Sequence, residues 1–415
     1  MRRPSVLLVS YHYLPAATPA SQRVDGLARR LHERGWEVVV LTGTGPDAAG
    51  HEASPVDVVR TTRRVLRAGS RGAPAIDRPL LAGIPVLKTI MGFPDRYASW
   101  SFELVPRLLR VLSSRRIDVV LSSSPPHSSH FAVALARSVR RFRWVAEFRD
   151  PWMFPSRRHP GGVSALLQRR MERFVIRRCD RVLVNTPGNQ DTLLSANPGL
   201  SPGRVRIATN GYDESLFGPE LESSAPTETA DFTYVGEVYP GMLERYCAAL
   251  VVLRDRQPDL VPRLAVYGTI DGVEQRRLSA LGLDRFVEYR GFVAHAQSIR
   301  AMTSARALLA LLPAEERWRT CVPSKVYWYL AARRPIVAFV PDGDTAALVR
   351  ATGAGWVLDD AEAGVLAEQL AKIVARERAQ LSPRLQGTGI QRYAMSVIVD
   401  GVESVLKEVV GGNPA

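Results

Sequence analysis

The stretch from Val322 to Asp344 reads VPSKVYWYLAARRPIVAFVPDGD. A turn-prone Val-Pro-Ser runs into a helical pattern, Lys325 to Ala332, which a basic pair and Pro335 bring to an end. Ile336 to Val340 is then a short apolar run of buried-strand type, followed by a second turn. Loop, helix and strand in this order are how a parallel α/β sheet builds a ligand crevice at the carboxyl ends of its strands. Ser324 is placed to cap the helix, so that backbone N–H groups point into the crevice and favour an anion there. Lys325 adds a positive charge at the same place. The chain has four lysines (Lys88, Lys325, Lys372, Lys407) against 51 arginines, so a lysine here suits a role for a compact ammonium. The competing reading is a solvated side chain on a first helical turn.

Upstream of this stretch the same grammar repeats. A strand at Phe232–Val235 leads to a turn over Gly236–Gly241, a helix at Met242–Arg254 and a strand at Leu264–Tyr267. A glycine turn, Gly268–Gly272, is followed by a strand at Phe286–Tyr289, a helix near Ala296–Thr303 and an apolar strand at Ala307–Leu312. Downstream come a helix near Asp344–Ala351, a strand at Gly355–Leu358 and a helix at Ala363–Arg378. A last helical stretch is interrupted near Pro383–Gly389.

The first half opens with a strand at Val6–Ser10, a proline-bearing loop, and a helix capped by Ser21 that stops at Gly35 before a strand at Trp36–Leu41. This βαβ unit has no GxGxxG, so it carries no dinucleotide fingerprint. Val56–Arg60 is a third strand and residues 61–100 form a surface excursion. A helix near Phe102–Leu112 and a strand at Asp118–Leu121 lead into the loop Ser122 to His130, and a helix runs on to about Val139. The strand Trp144–Phe148 ends in Arg149-Asp150-Pro151-Trp152. A basic helix at Val163–Arg178, a strand at Arg181–Asn185, a helix near Gly188–Leu194 and a strand at Val205–Thr209 complete this half. Apolar periodicity lapses over Gly218–Asp231. The reading is α/β, two doubly wound Rossmann-like domains at 1–214 and 232–380 joined by a linker at 215–231. A helical segment, 381–415, packs back on the first domain.

Composition agrees with two domains of about 200 residues each. No apolar run reaches the roughly 18 residues that span a bilayer, and no secretory h-region precedes the first strand. The three cysteines, Cys179, Cys247 and Cys321, form no metal-ligand spacing and no disulfide framework, which fits a reducing cytoplasm. Residues 1–210 carry 33 Lys+Arg and 15 Asp+Glu, whereas residues 211–415 carry 22 and 26. The basic excess includes Arg157, Arg158 and the run from Arg169 to Arg181. Such a lobe can meet an anionic membrane surface or an anionic acceptor; the alternative is an arginine-rich solvated face. No zinc-finger spacing or aromatic-studded basic surface points to nucleic acid.

The motifs, taken together, resemble a GT-B retaining glycosyltransferase of the large bacterial nucleotide-sugar-dependent kind, similar to glycosyltransferase family 4. The resemblance rests on Val6–Pro15, Ser124-Pro125-Pro126, Arg149–Trp152, Asn210-Gly211-x-Asp213 with Phe217, Val235-Gly236, and Pro323–Ala332 followed by Pro335–Val340. It implies two domains facing across a cleft, with the acceptor on the first and the sugar donor on the second. It also implies transfer of a glycosyl group from a nucleoside diphosphate sugar to a small-molecule, glycan or lipid-linked acceptor, with the anomeric configuration kept. The nucleotide sugar is a co-substrate, and neither a metal nor another cofactor is expected. Gly236, Gly268, Ser324, Lys325, Trp328 and Thr320 fall at donor-binding positions. Arg149 and Asp150 stand where many relatives carry a sugar-contacting histidine, and His127 and His130 lie in a loop from which an imidazole can reach a ligand. For Arg149 and Asp150 the alternative is a strand-end ion pair; for His130, a place on an apolar helix face.

Two departures stand out. The carboxylates that grip the donor's ribose in such enzymes are replaced by Trp328 and Thr320, and the basic residue usually found after the Val-Gly turn falls near Met242. An indole can stack on a base or sugar but cannot accept a ribose hydroxyl's hydrogen bond. Arg245, Arg317 or Arg319 is available as a second charge. Two rivals therefore stand beside the transferase: a GT-B protein that has lost catalysis and serves as a binding partner, and a sugar-nucleotide epimerase on the same fold.

Overall fold

The computed structural model describes residues 2–16, 18–43, 55–61, 94–153, 162–218, 228–380, 385 and 388–412. The excursion expected over 61–100 falls mostly outside the described residues, as do Arg157, Arg158 and most of the linker. The chain divides into two compact units, Met1–Asn210 with Ile398–Ala415, and Gly211–Val397.

The first unit is built on strands β1 (Ser5–Ser10), β2 (Glu37–Thr42), β3 (Asp57–Arg60), β4 (Val119–Ser124), β5 (Trp144–Phe148), β6 (Arg181–Val184) and β7 (Val205–Ile207). They form one parallel sheet in the order β3-β2-β1-β4-β5-β6-β7. Its helices are α1 (Pro19–Glu33), α2 (Ser101–Ser114), α3 (Ser128–Val139), α4 (Val163–Arg178) and α5 (Pro187–Ala196). Every residue of β1 and β4 is buried, as the continuous apolar runs of a sheet covered on both faces require.

The second unit repeats the plan. Its strands are β8 (Phe232–Val235), β9 (Leu264–Tyr267), β10 (Val287–Gly291), β11 (Ala307–Leu311), β12 (Ile336–Phe339) and β13 (Gly355–Leu358). They pair in parallel in the order β10-β9-β8-β11-β12-β13. The helices are α6 (Glu244–Arg256), α7 (Gly272–Ala280), α8 (His295–Ser304), α9 (Ser324–Ala332), α10 (Asp344–Thr352) and α11 (Ala363–Ala379), followed by α12 (Thr388–Gln391) and α13 (Met395–Gly411). Two parallel sheets, each flanked by helices, make two Rossmann-like domains of the GT-B kind. In each sheet the strand order reverses once, between β1 and β4 and between β8 and β11, and a doubly wound sheet opens its ligand crevice at that point.

Residues of α13 belong to the first unit from Ile398 onward. Arg34 pairs with Asp400 at 2.7 Å, Trp36 donates its indole N–H to Glu403 at 3.0 Å, and Arg181 pairs with Glu408 at 2.9 Å. Within the second unit, Tyr212 and Phe217 are buried in the same core as Val326 and Tyr327.

The structure corrects the local reading in three places. Thr18, not Ser21, caps α1: its hydroxyl accepts from the Ser21 N–H at 3.2 Å, and Pro19 takes the first helical position, where its missing N–H costs nothing. Ser324 does not cap α9. Pro323 occupies the cap position without a side-chain bond, and Ser324 is already helical. Helix α7 was not expected, because only Glu274 and Leu278 of it are buried, too few to set an apolar period. Among the described residues no helix is long and apolar enough to cross a membrane.

Candidate functional site

In the second unit, two glycine turns and one lysine meet at the β8–β11 switch point. Gly236 follows β8 with φ +121° and Gly268 follows β9 with φ +150°. The Gly236 N–H donates to Tyr267 O and the Gly268 N–H to Gly291 O, both at 2.8 Å. A Cβ on Gly268 would lie 2.0 Å from Gly236 O, so only glycine lets the two turns approach. A Cβ on Gly236 would lie 2.9 Å from Lys325 Nζ; the missing side chain leaves that place to the ammonium. Lys325 projects from the first turn of α9 to β8, where Nζ donates to the Tyr234 hydroxyl and sits 4.1 Å from the ring centroid. The Tyr234 hydroxyl in turn donates to the Glu237 main-chain O at 2.8 Å. Burial lowers the Lys325 pKa to about 7, against the opposing pull of Glu237 and Cys321. Among the described residues no carboxylate pairs with it. The result is an ammonium, protonated below about pH 7, beside glycine backbone and without an ion-pair partner among the described residues, a place an anion can fill.

The loop before α9 is tied to the start of α10. Arg319 O accepts from the Asp344 N–H at 2.7 Å, and Cys321 O from the Thr345 hydroxyl at 2.6 Å. Thr320 lies between these anchors and is half-buried. The half-buried Trp328 packs edge-on against His295, 5.1 Å between centroids at 86°, and 5.9 Å from Phe217. Arg317 pairs with Glu315 and Arg319 with Glu316, while Arg245 donates to Leu358 O at 2.9 Å. Lys325 therefore stands beside Gly236 in a way that none of the three arginines does.

In the first unit, the candidates gather at the ends of β4 and β5. Arg149 is buried and donates from Nε to Ser124 O and from Nη2 to Pro125 O, both at 3.1 Å. These bonds tie the end of β5 to that of β4, with Asp150 half-buried beside them. His127 stacks on Trp152, 4.8 Å between centroids, and its Nδ1 lies 3.2 Å from Ser124 Oγ. Burial lowers its pKa to about 4, outweighing Asp95, so it is neutral at pH 7. His130 is 0% exposed; its Nδ1 meets Ser122 Oγ at 2.7 Å and its Nε2 the Glu147 carbonyl at 3.1 Å. Both nitrogens of His130 face protein, which makes it a core histidine that braces β4 against β5. Asp213 braces a turn in the second unit, its Oδ1 accepting from the Ser215 N–H at 3.0 Å.

Residues 20–216 match Glycosyltransferase Family 4. The chain is a GT-B protein related to that family. A probable glycosyltransferase, WbjE of Pseudomonas aeruginosa, is 26% identical over 261 residues, a match that spans 59% of this chain and 62% of that protein. Two solved structures share the fold. Sucrose-phosphate synthase of Thermosynechococcus elongatus superposes with a TM-score of 0.67 at 17% identity, covering 98% of this chain and 99% of that one. Anabaena HepE in complex with UDP gives 0.61 at 14%, covering 98% and 100%.

Within this GT-B chain, five side chains are not singled out by the sequence: Arg23, Ser123, Glu147, His12 and Tyr234. Arg23 and Glu147 form a buried ion pair at 2.8 Å, and Arg23 also donates to Thr209 O at 2.7 Å. Ser123 donates to the other Glu147 oxygen at 2.6 Å. Burial pushes the Glu147 carboxyl up, but Arg23, Arg149 and Ser123 together hold it below its usual range. Its signal was in the sequence, because a carboxylate inside the apolar strand WVAEF needs a partner. His12, lowered to about 4 by burial and by Arg149 and Arg96, and Tyr234, the seat of Lys325, gave no such signal.

Proposed function

We propose that this GT-B protein is a retaining glycosyltransferase. It moves a sugar from a nucleoside diphosphate sugar to a small-molecule, glycan or lipid-linked acceptor in polysaccharide or secondary-metabolite biosynthesis. The observation that carries the reading is Lys325, held over Tyr234 against the bare backbone of Gly236. As the glycosidic bond breaks, negative charge grows on the departing diphosphate, and a cation already in place stabilises it. Gly236 and Gly268 let phosphate oxygens come close to main chain. Arg149, Asp150 and neutral His127 are assigned to the hydroxyls of the sugar or acceptor, while His130 holds the strand ends behind them. HepE binds UDP, which makes UDP-sugars the first donors to try.

The test is release of nucleoside diphosphate from a panel of nucleotide sugars offered with acceptors, in wild type beside Lys325→Ala. Loss of this leaving-group contact is expected to slow turnover by about 100-fold or more, and the product's anomeric configuration should match the donor's. Unchanged turnover in the variant, or an inverted product, contradicts the reading. Trp328 and Thr320, standing where the family resemblance expects carboxylates, favour a second reading: a scaffold that binds nucleotide without transferring sugar. It predicts nucleotide binding with no release from any donor.

A further inference from the structure

A cavity of about 610 Å³ opens in the first unit at the carboxyl ends of β5 and β6, between α4 and α5. Its walls are largely apolar, with Phe148, Met153 and Leu193 among them. Two of its polar residues are more than nine-tenths buried: Glu172 of α4 is 5% exposed and Asn189 of α5 is 4%. Asn189 donates its amide to Asn185 and its main-chain N–H to Thr186 Oγ1 at 3.1 Å, but its side-chain oxygen has no partner among the described residues. The Glu172 carboxyl makes no hydrogen bond or ion pair among the described residues. Burial raises its pKa to about 7, although Arg169 and Arg173 pull the other way. A buried polar atom without a partner is costly, and native structures rarely leave one unexplained.

Asn189 Oδ1 is an acceptor, and above about pH 7 so is the Glu172 carboxylate, so what the two lack there is a donor. A cation is opposed by Arg169, and an anion by Glu172 and Asp191, all of which line the cavity. A neutral hydroxyl is opposed by none of them. The volume far exceeds the roughly 30 Å³ of one water and falls in the usual range of ligand pockets. We propose that this cavity is a binding site for a neutral, hydroxyl-bearing molecule of the sugar type. Its hydroxyls donate to Asn189 Oδ1 and to the Glu172 carboxylate, and its C–H face packs on Phe148, Met153 and Leu193. Nothing in this inference depends on Lys325 or on transfer.

The probes are the methyl glycosides of glucose, galactose, mannose and rhamnose, used at about pH 8, where Glu172 is ionised. Saturation-transfer NMR is expected to show at least one of them bound to wild type. Binding should weaken about tenfold, the worth of one good hydrogen bond, in Asn189→Leu and in Glu172→Met, whose melting temperatures should not fall. A wild-type readout stands beside these variants: with methyl-labelled methionine, the Met153 resonance, assigned through Met153→Leu, should shift as the glycoside is added. UDP-induced stabilisation is expected to survive in both variants, which separates failure here from failure of the donor site. No bound glycoside, an unmoved Met153 signal, or full binding in both variants overturns the proposal.

Discussion

Lys325 holds its ammonium over an aromatic ring with no carboxylate partner among the described residues, and burial brings its pKa from 10.5 to about 7. Two pH effects follow, with opposite signs. In the proposed donor site a nucleotide sugar, whose phosphates stay ionised across the neutral range, is bound by the protonated lysine. Its affinity should therefore fall as pH rises above about 7, approaching tenfold per unit, and calorimetric titration at several pH values reads this directly. Without ligand, both the folded and unfolded chains hold the proton below about 7, and the full burial cost applies. Above that pH the unfolded chain, with its ordinary lysine pKa, binds more protons, so stability should rise until about pH 10.5. Lys325→Met should flatten that rise in denaturant titrations. Gly268→Ala tests the backbone beneath: the strained φ alone costs about 1–3 kcal/mol, and the collision with Gly236 O adds to it. A Gly268→Ala protein of wild-type stability would refute the close approach of the two turns.

Among the elements, the buried pair Arg23–Glu147 joins α1 to β5 and, through Thr209 O, to the chain beyond β7. Glu147→Leu leaves a buried guanidinium unpaired, and a loss of about 3–5 kcal/mol is expected in chemical denaturation. Adding Arg23→Met should recover part of it, because an apolar pair asks for no counter-charge. Strands such as Trp144–Phe148 and Leu264–Tyr267 were legible in the sequence because β-branched and aromatic runs sit between turn residues. Helix α7 was not, since it buries almost no apolar surface, and the caps of α1 and α9 were misplaced because each depends on which neighbouring residue turns extended. Lys325 was legible as a candidate, but its seat was not. Tyr234 lies 91 residues away, and only the strand order that sets β8 beside β11 brings the two together.

At the scale of the whole molecule, charge is divided unevenly, with 33 Lys+Arg against 15 Asp+Glu in residues 1–210. On α4, Arg170, Arg173 and Arg177 are exposed together with Val163, Leu166 and Leu167. A helix face that mixes exposed arginines with exposed apolar side chains suits an anionic membrane surface. Co-sedimentation with vesicles containing phosphatidylglycerol should exceed that with neutral vesicles, weaken with added salt, and drop in the double variant Leu166→Ser/Leu167→Ser. Equal binding to both vesicle types would remove the membrane from the account. The central claim is the donor site, and thermal-shift binding of UDP, GDP, dTDP, ADP and CDP to wild type and Lys325→Ala tests it most directly. The account predicts stabilisation by a selected diphosphate, growing with its concentration and lost in the variant. No stabilisation by any of the five, or the same stabilisation in Lys325→Ala, would contradict it.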